Sequence, residues 1–526
     1  MLPQITKPRF RFDLSDVLFL FFTLTIMQHA TQGMMDDPGL GWHLRIPDLM
    51  AEQGGFVYSE YFSFPSEGNR WITRAWLSDV LMRVAYGWGG LNAVALLTCM
   101  VVAATLRGIY RRMVDEGYHL LVAIGAVIVA VMGLVPSFVA RPNIVSFLGV
   151  WLVADLCQRF HAGRLEPRKL FWIVPVMLLW TNMHGGFMAG LVLIAIAWAV
   201  EAGMAFLSWK KPVRAAARTR LGWLTAVGAV AGLATLLNPN GIGLHLYNLQ
   251  AVTDPFIQNN TTIEWRPPDF RQAGWFNIER LILLLPLLAA TCRRRINLTG
   301  LAMTVAWLHF ALTSRRYTTL WVVIAMPTLC ELVVYNPWLQ RFVKWLQATV
   351  SPEMKKLLTG PSRPTSQGST VTSPVSASWV LAVVMLLLAA FLPDVTRHNP
   401  SQMPAQSLDR FLTLHEGEPT FHWANWGGYL TWKGWDASPR FKTWIDDRIE
   451  VHGKQQTLDY FTIIGANDGW RQKLDEYGIE MVCIPKTTRL ADLLGECDGW
   501  EHCFTDEYIS VFRAKNNRAG DGIARR

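Results

Sequence analysis

Residues 14–46 read LSDVLFLFFTLTIMQHATQGMMDDPGLGWHLRI, and the prediction of the fold starts from this stretch. Residues 14–34 form an apolar run of the length that crosses the hydrocarbon core of a membrane. Basic residues precede the run, and no A-x-A cleavage site follows it. We therefore expect an uncleaved first transmembrane helix rather than a signal peptide. The run opens directly onto two carboxylates, a Pro-Gly turn, a histidine and an arginine.

The composition of the whole chain agrees with a polytopic membrane protein. Of its 526 residues, 51% are hydrophobic and only 17% are charged, whereas soluble domains carry about 25% charged residues. The 24 tryptophans suit membrane–water interfaces. The net charge of +9 is distributed in short clusters between apolar runs, which is an orientation signal, so nucleic acid is not an expected partner.

Apolar stretches of about 20 residues predict eleven transmembrane helices. Their spans are roughly 14–34, 89–110, 118–136, 143–158, 170–183, 187–206, 221–237, 276–292, 297–313, 317–335 and 379–396.

Predicted loops that are rich in Lys and Arg alternate with loops that are poor in them, and the rich loops lie on the same side as the N-terminus. Because positively charged loops stay in the cytoplasm, we expect the N-terminus to be cytoplasmic. The long loops 35–88 and 238–275 then face outward. The connection 336–378 is a cytoplasmic linker, with an amphipathic helix followed by a low-complexity segment that we expect to be disordered.

Residues 397–526 are predicted to form a small soluble α/β domain on the outer, periplasmic side of a bacterial inner membrane. The segments EPTFHW, RFKTWIDD, IEMVCIPK, WEHCFTD and YISVFRA favour strands, and the segments between them favour helices. In an oxidising compartment, Cys497 and Cys503 could form a disulfide across a short loop.

Asp36 and Asp37 lie where the first helix leaves the membrane, and three interpretations of this pair stay open. Partial burial would raise a carboxylate pKa towards the range of a general base. The pair could instead supply hard oxygen ligands for a divalent cation. It could also simply cap the helix that follows the Pro-Gly turn.

Further polar residues lie at the outer ends of other predicted helices. Arg141, Arg315 and Arg316 are suited to bidentate binding of phosphate oxygens, although arginines at these positions can also extend to lipid headgroups. His184 lies in a tight HGG turn, and Glu264 lies beside a Pro-Pro turn in the second outer loop. The predicted substrate-binding residues are His43, Arg45, Arg141, His184, Glu264, Arg315 and Arg316.

At these residues the chain resembles the GT-C superfamily of integral membrane glycosyltransferases, which have an Asp-bearing first outer loop, a many-helix body and an outer C-terminal domain. The motifs also resemble a group of bacterial polytopic proteins described as glycosyltransferase-like membrane proteins. They are DDPGLGWHLRIPDLM, WITRAWLSDVL, FVARPN, LWTNMHGGF, LLNPNG, TIEWRPPDF, TSRRY and ANWGGYL…TWIDDR.

The resemblance implies transfer of a sugar from a polyprenyl-phosphate donor to a glycan, lipid or protein acceptor on the outer face of the membrane. Asp36 or Asp37 would match the catalytic carboxylate of the first loop, and the three outer arginines would stabilise the leaving phosphate. The segment RWITRAWLSDVLMRVAY would lie along the interface as an amphipathic helix. A second hypothesis is a non-catalytic membrane scaffold that retains this fold, since a fold does not determine a function.

Overall fold

The computed structural model describes residues 13–30, 33–260, 263–294, 296–349, 377–391 and 396–515, and most of them are helical. The helices are α1 (Leu14–Ala30), α2 (Leu40–Gln53), α3 (Trp76–Asp115), α4 (Leu120–Leu134), α5 (Val145–His161), α6 (Ile173–Met183), α7 (Met188–Leu207), α8 (Lys211–Ala234), α9 (Ile242–Thr253), α10 (Pro255–Asn260), α11 (Phe276–Thr291), α12 (Leu298–Thr313), α13 (Arg315–Val334), α14 (Pro337–Thr349), α15 (Ala377–Ala389), α16 (Ala405–Leu414), α17 (Gly427–Gly434), α18 (Ile449–Ile464), α19 (Trp470–Glu476) and α20 (Arg489–Gly495).

A helix lies at each of the eleven predicted spans. Within the described residues, five helices are long and apolar enough to cross a membrane. Four others, α1, α4, α12 and α15, are apolar but shorter. Helix α6 has only 11 residues, and α8 begins with a basic segment. The positions of the helices are therefore as predicted, and the number of spans stays a prediction. The five long segments are Trp76–Asp115, Pro142–His161, Gly185–Leu207, Ala273–Thr291 and Arg315–Val334.

The predicted linker is described only in part. Helix α14 occupies the amphipathic segment, and it exposes Trp338, Phe342 and Trp345. The low-complexity segment lies outside the described residues.

The first outer loop, 35–88, contains two helices. Helix α2 buries Trp42, Leu44, Ile46 and Leu49 and ends at Gly54, whose left-handed conformation (φ 66°) is the usual helix stop. The segment 76–88 is the beginning of α3, which bends sharply at Gly89 and Gly90, where the backbone is not helical. Because of this bend, the predicted interfacial helix and the membrane-length part of α3 run in different directions.

The C-terminal region holds a four-stranded sheet of order β1-β2-β4-β3 within the described residues. Strand β1 is parallel to β2, and the other two pairings are antiparallel. Parallel neighbours need a crossover connection, which here includes α17, α18 and α19. The strands are β1 (Thr420–His422), β2 (Met481–Pro485), β3 (Trp500–Thr505) and β4 (Ile509–Ala514).

The segment RFKTWIDD was expected to be a strand of this sheet, and this prediction is wrong. Its backbone bonds to the first outer loop instead: Thr443 N–H donates to the Phe62 carbonyl (2.8 Å), and Phe64 N–H donates to the Thr443 carbonyl (3.0 Å). A buried ion pair supports this junction, with Arg448 Nη1 at 2.7 Å from Glu60 Oε2. The alternation of residues suited an extended chain, but the pairing partner lay far away in sequence.

The predicted disulfide is also wrong, because Cys497 and Cys503 are both free. The Trp500 amide donates to the Cys497 carbonyl (3.1 Å) and closes a turn. Three residues of strand β3 then carry Cys503 roughly 10 Å past this turn. A disulfide requires Cα atoms within about 7 Å.

Helix α2 and helix α17 cross at two glycines. A Cβ placed on Gly41 would lie 1.9 Å from the Gly428 carbonyl oxygen, and a Cβ on Gly428 would lie 2.0 Å from the Pro38 carbonyl oxygen. Only glycine permits this approach. The crossing brings the loop that carries Asp36 and Asp37 against the C-terminal region.

Candidate functional site

A cavity of about 470 Å³ opens between the first outer loop, the second outer loop and the ends of α5, α7 and α13. We call it the large cavity. Its lining contains basic, polar and aromatic side chains as well as apolar ones. Its cationic and acidic lining consists of Arg74, Arg141, Arg315, Arg316 and Glu264, its histidines are His43 and His184, and its apolar lining includes Val192, Leu249, Val252, Phe310 and Leu320.

Arg141 reaches the large cavity because of the proline that follows it. A residue before proline is biased towards an extended backbone, and Arg141 has φ −141° and ψ 151°. Its guanidinium joins two carboxylates: Nη1 lies 3.4 Å from Asp37 Oδ2, and Nη2 lies 2.9 Å from Asp447 Oδ2. Burial lowers the pKa of Arg141, but Asp37 and Asp447 more than offset this effect and raise it, so the guanidinium stays charged.

Asp37 lies directly behind this guanidinium. It is 7% exposed, and its Oδ1 accepts a hydrogen bond from the Gly39 amide at 2.9 Å. Burial raises the pKa of Asp37 to about 6; Arg141 opposes this shift, and the nearby Asp447 and Glu264 add to it. Asp37 is therefore a carboxylate that titrates close to neutral pH, as a general base must.

Asp36 has a different role from its neighbour. Its oxygens accept hydrogen bonds from the Asn399 amide at 3.0 and 3.2 Å, and His398 Nδ1 lies 3.3 Å from Oδ1. Neither Asp36 nor Asp37 is part of the cavity lining, but Asp37 binds the lining residue Arg141. Asp36 holds the first residues of the C-terminal region against the first loop.

Arg315 and Arg316 begin helix α13 at the cavity wall. The Ser314 hydroxyl donates to the Glu264 carbonyl (2.8 Å), and the Arg315 amide donates to the Arg266 carbonyl (3.0 Å), so the second outer loop is fixed to the start of α13. The Arg316 guanidinium lies 4.3 Å from the centre of the Trp265 ring. Among the described residues, neither of these arginines forms an ion pair with a carboxylate.

The two histidines of the cavity are held as neutral rings. His184 Nδ1 accepts from the Gly186 amide (3.0 Å), so its proton is on Nε2, which is then a hydrogen-bond donor. His43 Nδ1 lies 2.6 Å from Asp79 Oδ1. Burial lowers the pKa of both histidines well below its usual value; nearby arginines, chiefly Arg316 for His184 and Arg141 for His43, lower it further.

Arg45 does not line the cavity. It donates to the Trp432 carbonyl through Nε (2.8 Å) and Nη2 (2.7 Å), and it pairs with Asp48. It therefore ties α2 to α17 beneath the glycine crossing.

Two residues of the site had no role assigned from the sequence. Arg74 lines the cavity and pairs with Glu450 at 2.9 Å. Asp447 accepts from Trp42 Nε1 at 2.7 Å and binds Arg141. Both lie in quoted motifs, WITRAW and TWIDDR. The pair Asp446–Asp447 repeats the Asp-Asp pattern of the first loop. This repetition is the sequence signal that could have identified Asp447 as a site residue.

The carboxylates of the site do not fit a divalent cation. Asp37 and Asp447 are near each other, but the Arg141 guanidinium binds both of them. In the described ranges, no group of three or more His, Cys, Asp or Glu side chains is arranged to hold a metal ion. The chemistry below therefore uses no metal step.

No family model matches the sequence, and no curated protein matches it. The solved structures that match the chain include two membrane proteins of the same fold. The archaeal oligosaccharyltransferase AglB from Archaeoglobus fulgidus, solved with an inhibitory peptide and a dolichol-phosphate, is 10% identical with a TM-score of 0.55; the match covers 90% of this chain and 69% of that one. ArnT from Cupriavidus metallidurans, bound to undecaprenyl phosphate, is 14% identical with a TM-score of 0.51, and the match covers 96% and 99% of the two chains.

Both structures are membrane glycosyltransferases of the GT-C superfamily. The chain has the GT-C fold, and the resemblance noted in the sequence is confirmed at the level of the fold. It is a predominantly helical membrane protein with a small C-terminal sheet.

Proposed function

We propose that the protein transfers a sugar from a polyprenyl-phosphate-linked donor to a glycan, lipid or protein acceptor at the outer face of a bacterial inner membrane. One observation carries the proposal: the large cavity joins a cluster of four arginines to an apolar wall. A phosphate needs the first surface, and a polyprenyl chain needs the second. Two proteins of the same fold were solved with a polyprenyl phosphate bound.

The arginines would bind the donor phosphate. Arg315 and Arg316 have no carboxylate partner among the described residues, so their charge is available to a ligand. Arg74 is paired with Glu450, and Arg141 is paired with both Asp37 and Asp447. These ion pairs hold the two guanidiniums in place, so that they can stabilise the negative charge that develops on the phosphate as it leaves. His184 Nε2–H is a neutral donor in the same wall.

Asp37 would act as the base. In its ionised form it takes the proton of the acceptor hydroxyl, and the acceptor oxygen forms a bond to the anomeric carbon of the sugar. The bond from that carbon to the phosphate oxygen breaks, and the polyprenyl phosphate leaves with the bonding electrons. The arginines stabilise the added negative charge, and Asp447 positions Arg141 beside Asp37.

The test measures binding of undecaprenyl phosphate and of undecaprenol, which lacks the phosphate, to the purified full-length protein by native mass spectrometry. We expect the protein to prefer the phosphate form, and Arg316→Gln to weaken that preference at least tenfold, as expected for the loss of one charge-assisted hydrogen bond.

Arg271→Gln is the matched control. Arg271 belongs to the second outer loop, but its side chain is 91% exposed and pairs with Asp269. It should retain the preference of the wild type. Equal binding of the two lipids to the wild-type protein would contradict the proposal and favour the scaffold hypothesis.

A further inference from the structure

A second cavity lies at the other end of the helix bundle. It has a volume of about 240 Å³ and is lined by polar side chains from α3, α5, α13 and the segment before α12. We call it the small polar cavity. Helices α5 and α13 contribute their first residues to the large cavity and their last turns to this one. The 17 residues of α5 separate the two cavities by roughly 25 Å.

The acidic groups of the small polar cavity are already satisfied. Glu116 pairs with Arg112 at 2.9 Å and also with Arg164. Glu331 Oε2 accepts from the Asn297 amide at 3.1 Å. These carboxylates therefore do not need a cation from solution.

The donors of the cavity, in contrast, are in excess. Arg112 and Gln158 are buried, at 4% and 1% exposure. Arg112 Nε and Gln158 Nε2 have no hydrogen-bond partner among the described residues. A buried donor without a partner is destabilising, so such groups favour binding of an acceptor.

Arg294 adds an unbalanced positive charge. It lines the cavity and lies 4.1 Å from the centre of the Tyr335 ring, which fixes its guanidinium. In the parts of the chain that are described, it has no carboxylate within ion-pairing distance. Arg112 is balanced by Glu116 and by Asp155, and Arg164 is balanced by Glu116, so among the described lining residues Arg294 is the arginine without a carboxylate partner.

We propose that the small polar cavity binds a phosphate group, carried either by an anionic lipid headgroup or by a free phosphate. Unpaired donors and a fixed guanidinium match the oxygens of a phosphate, which accepts several hydrogen bonds at once. The site lies at the opposite helix ends from the large cavity and is independent of the sugar transfer proposed above.

The test follows the melting temperature of the purified full-length protein during a titration with inorganic phosphate at constant ionic strength. A second series compares nanodiscs of phosphatidylcholine with and without phosphatidylglycerol. We expect saturable stabilisation by one of these probes, and the responding probe identifies the source of the phosphate group.

Arg294→Gln should weaken the apparent affinity for that probe about tenfold, as expected for one lost charge-assisted hydrogen bond. Arg294 is exposed, so this variant should fold normally. Gln158→Met, which keeps the size of the side chain and removes its donors, should weaken the affinity as well.

The matched control is Arg168→Gln, which removes an exposed charge at the same end of the bundle and outside the cavity. It should behave as the wild type. Arg316→Gln controls for binding in the large cavity and should be stabilised by the responding probe as the wild type is. The proposal is overturned if neither probe stabilises the protein, if Arg168→Gln weakens binding as much as Arg294→Gln, or if only Arg316→Gln abolishes the response.

Discussion

Asp36 and Asp37 are adjacent in the chain, but their carboxylates have different surroundings. Asp36 binds the Asn399 amide and fixes a chain junction. Asp37 is buried beside Arg141, and Arg141 lines the large cavity. The sequence did not suggest the contact of Asp36 with Asn399, and the role of Asp37 as a general base stays a proposal.

At the residue scale, Asp37→Asn should lower turnover by about 10²–10⁴-fold, the usual contribution of a general base. Turnover is measured in membranes as release of undecaprenyl phosphate from an undecaprenyl-phosphate-linked sugar. Binding of undecaprenyl phosphate should survive, because Asn retains the size and the acceptor oxygen for the Gly39 amide. The matched variant Asp36→Asn should remain within a few-fold of the wild type. A folded, fully active Asp37→Asn protein would exclude Asp37 as the base.

The pH dependence of turnover gives a separate check on Asp37. Its pKa of about 6 is above the usual value, because burial favours the neutral form. A base must be ionised, so turnover should fall as the pH drops through about 6 and should be flat from 7 to 8. Asp447 is close enough for the apparent pKa to belong to the pair. A profile without an acidic limb near pH 6, or the same limb in Asp37→Asn, would contradict this assignment.

The positions of the helices could be predicted from the sequence. Long apolar runs such as 143–158 and 317–335 must be helical in a membrane, because the backbone has no other way to satisfy its hydrogen bonds there. The pairing of the RFKTWIDD segment could not be predicted, because its partner is the loop around Phe62, about 380 residues earlier in the chain. Arg74 and Asp447 had no assigned role for the same reason: each becomes part of the site only when distant segments pack together.

The close crossing of α2 and α17 leads us to expect that a side chain at Gly41 destabilises the protein. Gly41→Ala would place a Cβ 1.9 Å from the Gly428 carbonyl oxygen, which is backbone and cannot move aside cheaply. We expect a loss of about 1–3 kcal/mol of stability, as for overpacking of a core, together with reduced turnover. The melting temperature and the activity of the purified protein measure both effects.

Gly232→Ala is the matched control for this crossing. Gly232 also lies in a helix, but nothing is within 4 Å of an added Cβ. It should be neutral or stabilising by up to about 1 kcal/mol, since alanine is the better helix former. Equal melting temperatures of the two variants would show that the crossing tolerates a side chain.

The whole molecule is a bundle with a basic, partly apolar cavity at one end and a polar cavity at the other. Composition and hydropathy predict the membrane class, and the resemblance of the quoted motifs to GT-C proteins implies the GT-C-like fold. The large cavity could be predicted only in outline, because Arg74, Arg141 and Arg316 come from three segments whose packing no local pattern specifies.

At this scale the orientation of the bundle is the testable quantity. The alternation of basic loops predicts a cytoplasmic N-terminus and an outer C-terminal region. Alkaline phosphatase, which is active only in the periplasm, should be active when fused after residue 396 and inactive when fused after Gly163. The reverse pattern would place the large cavity on the cytoplasmic side and contradict the proposed location of the transfer reaction.

The contact between Glu60 and Arg448 spans 388 positions of the chain. A ribosome that adds about 5–20 residues per second needs roughly 20–80 s to make that interval. During this time the first loop has been synthesised, but neither Arg448, the partner of Glu60, nor Asp447, the partner of Arg141, yet exists. Assembly of the candidate site is therefore one of the last events in biogenesis. A nascent chain released before Asp447 would contain every membrane-length helix and yet lack a complete site.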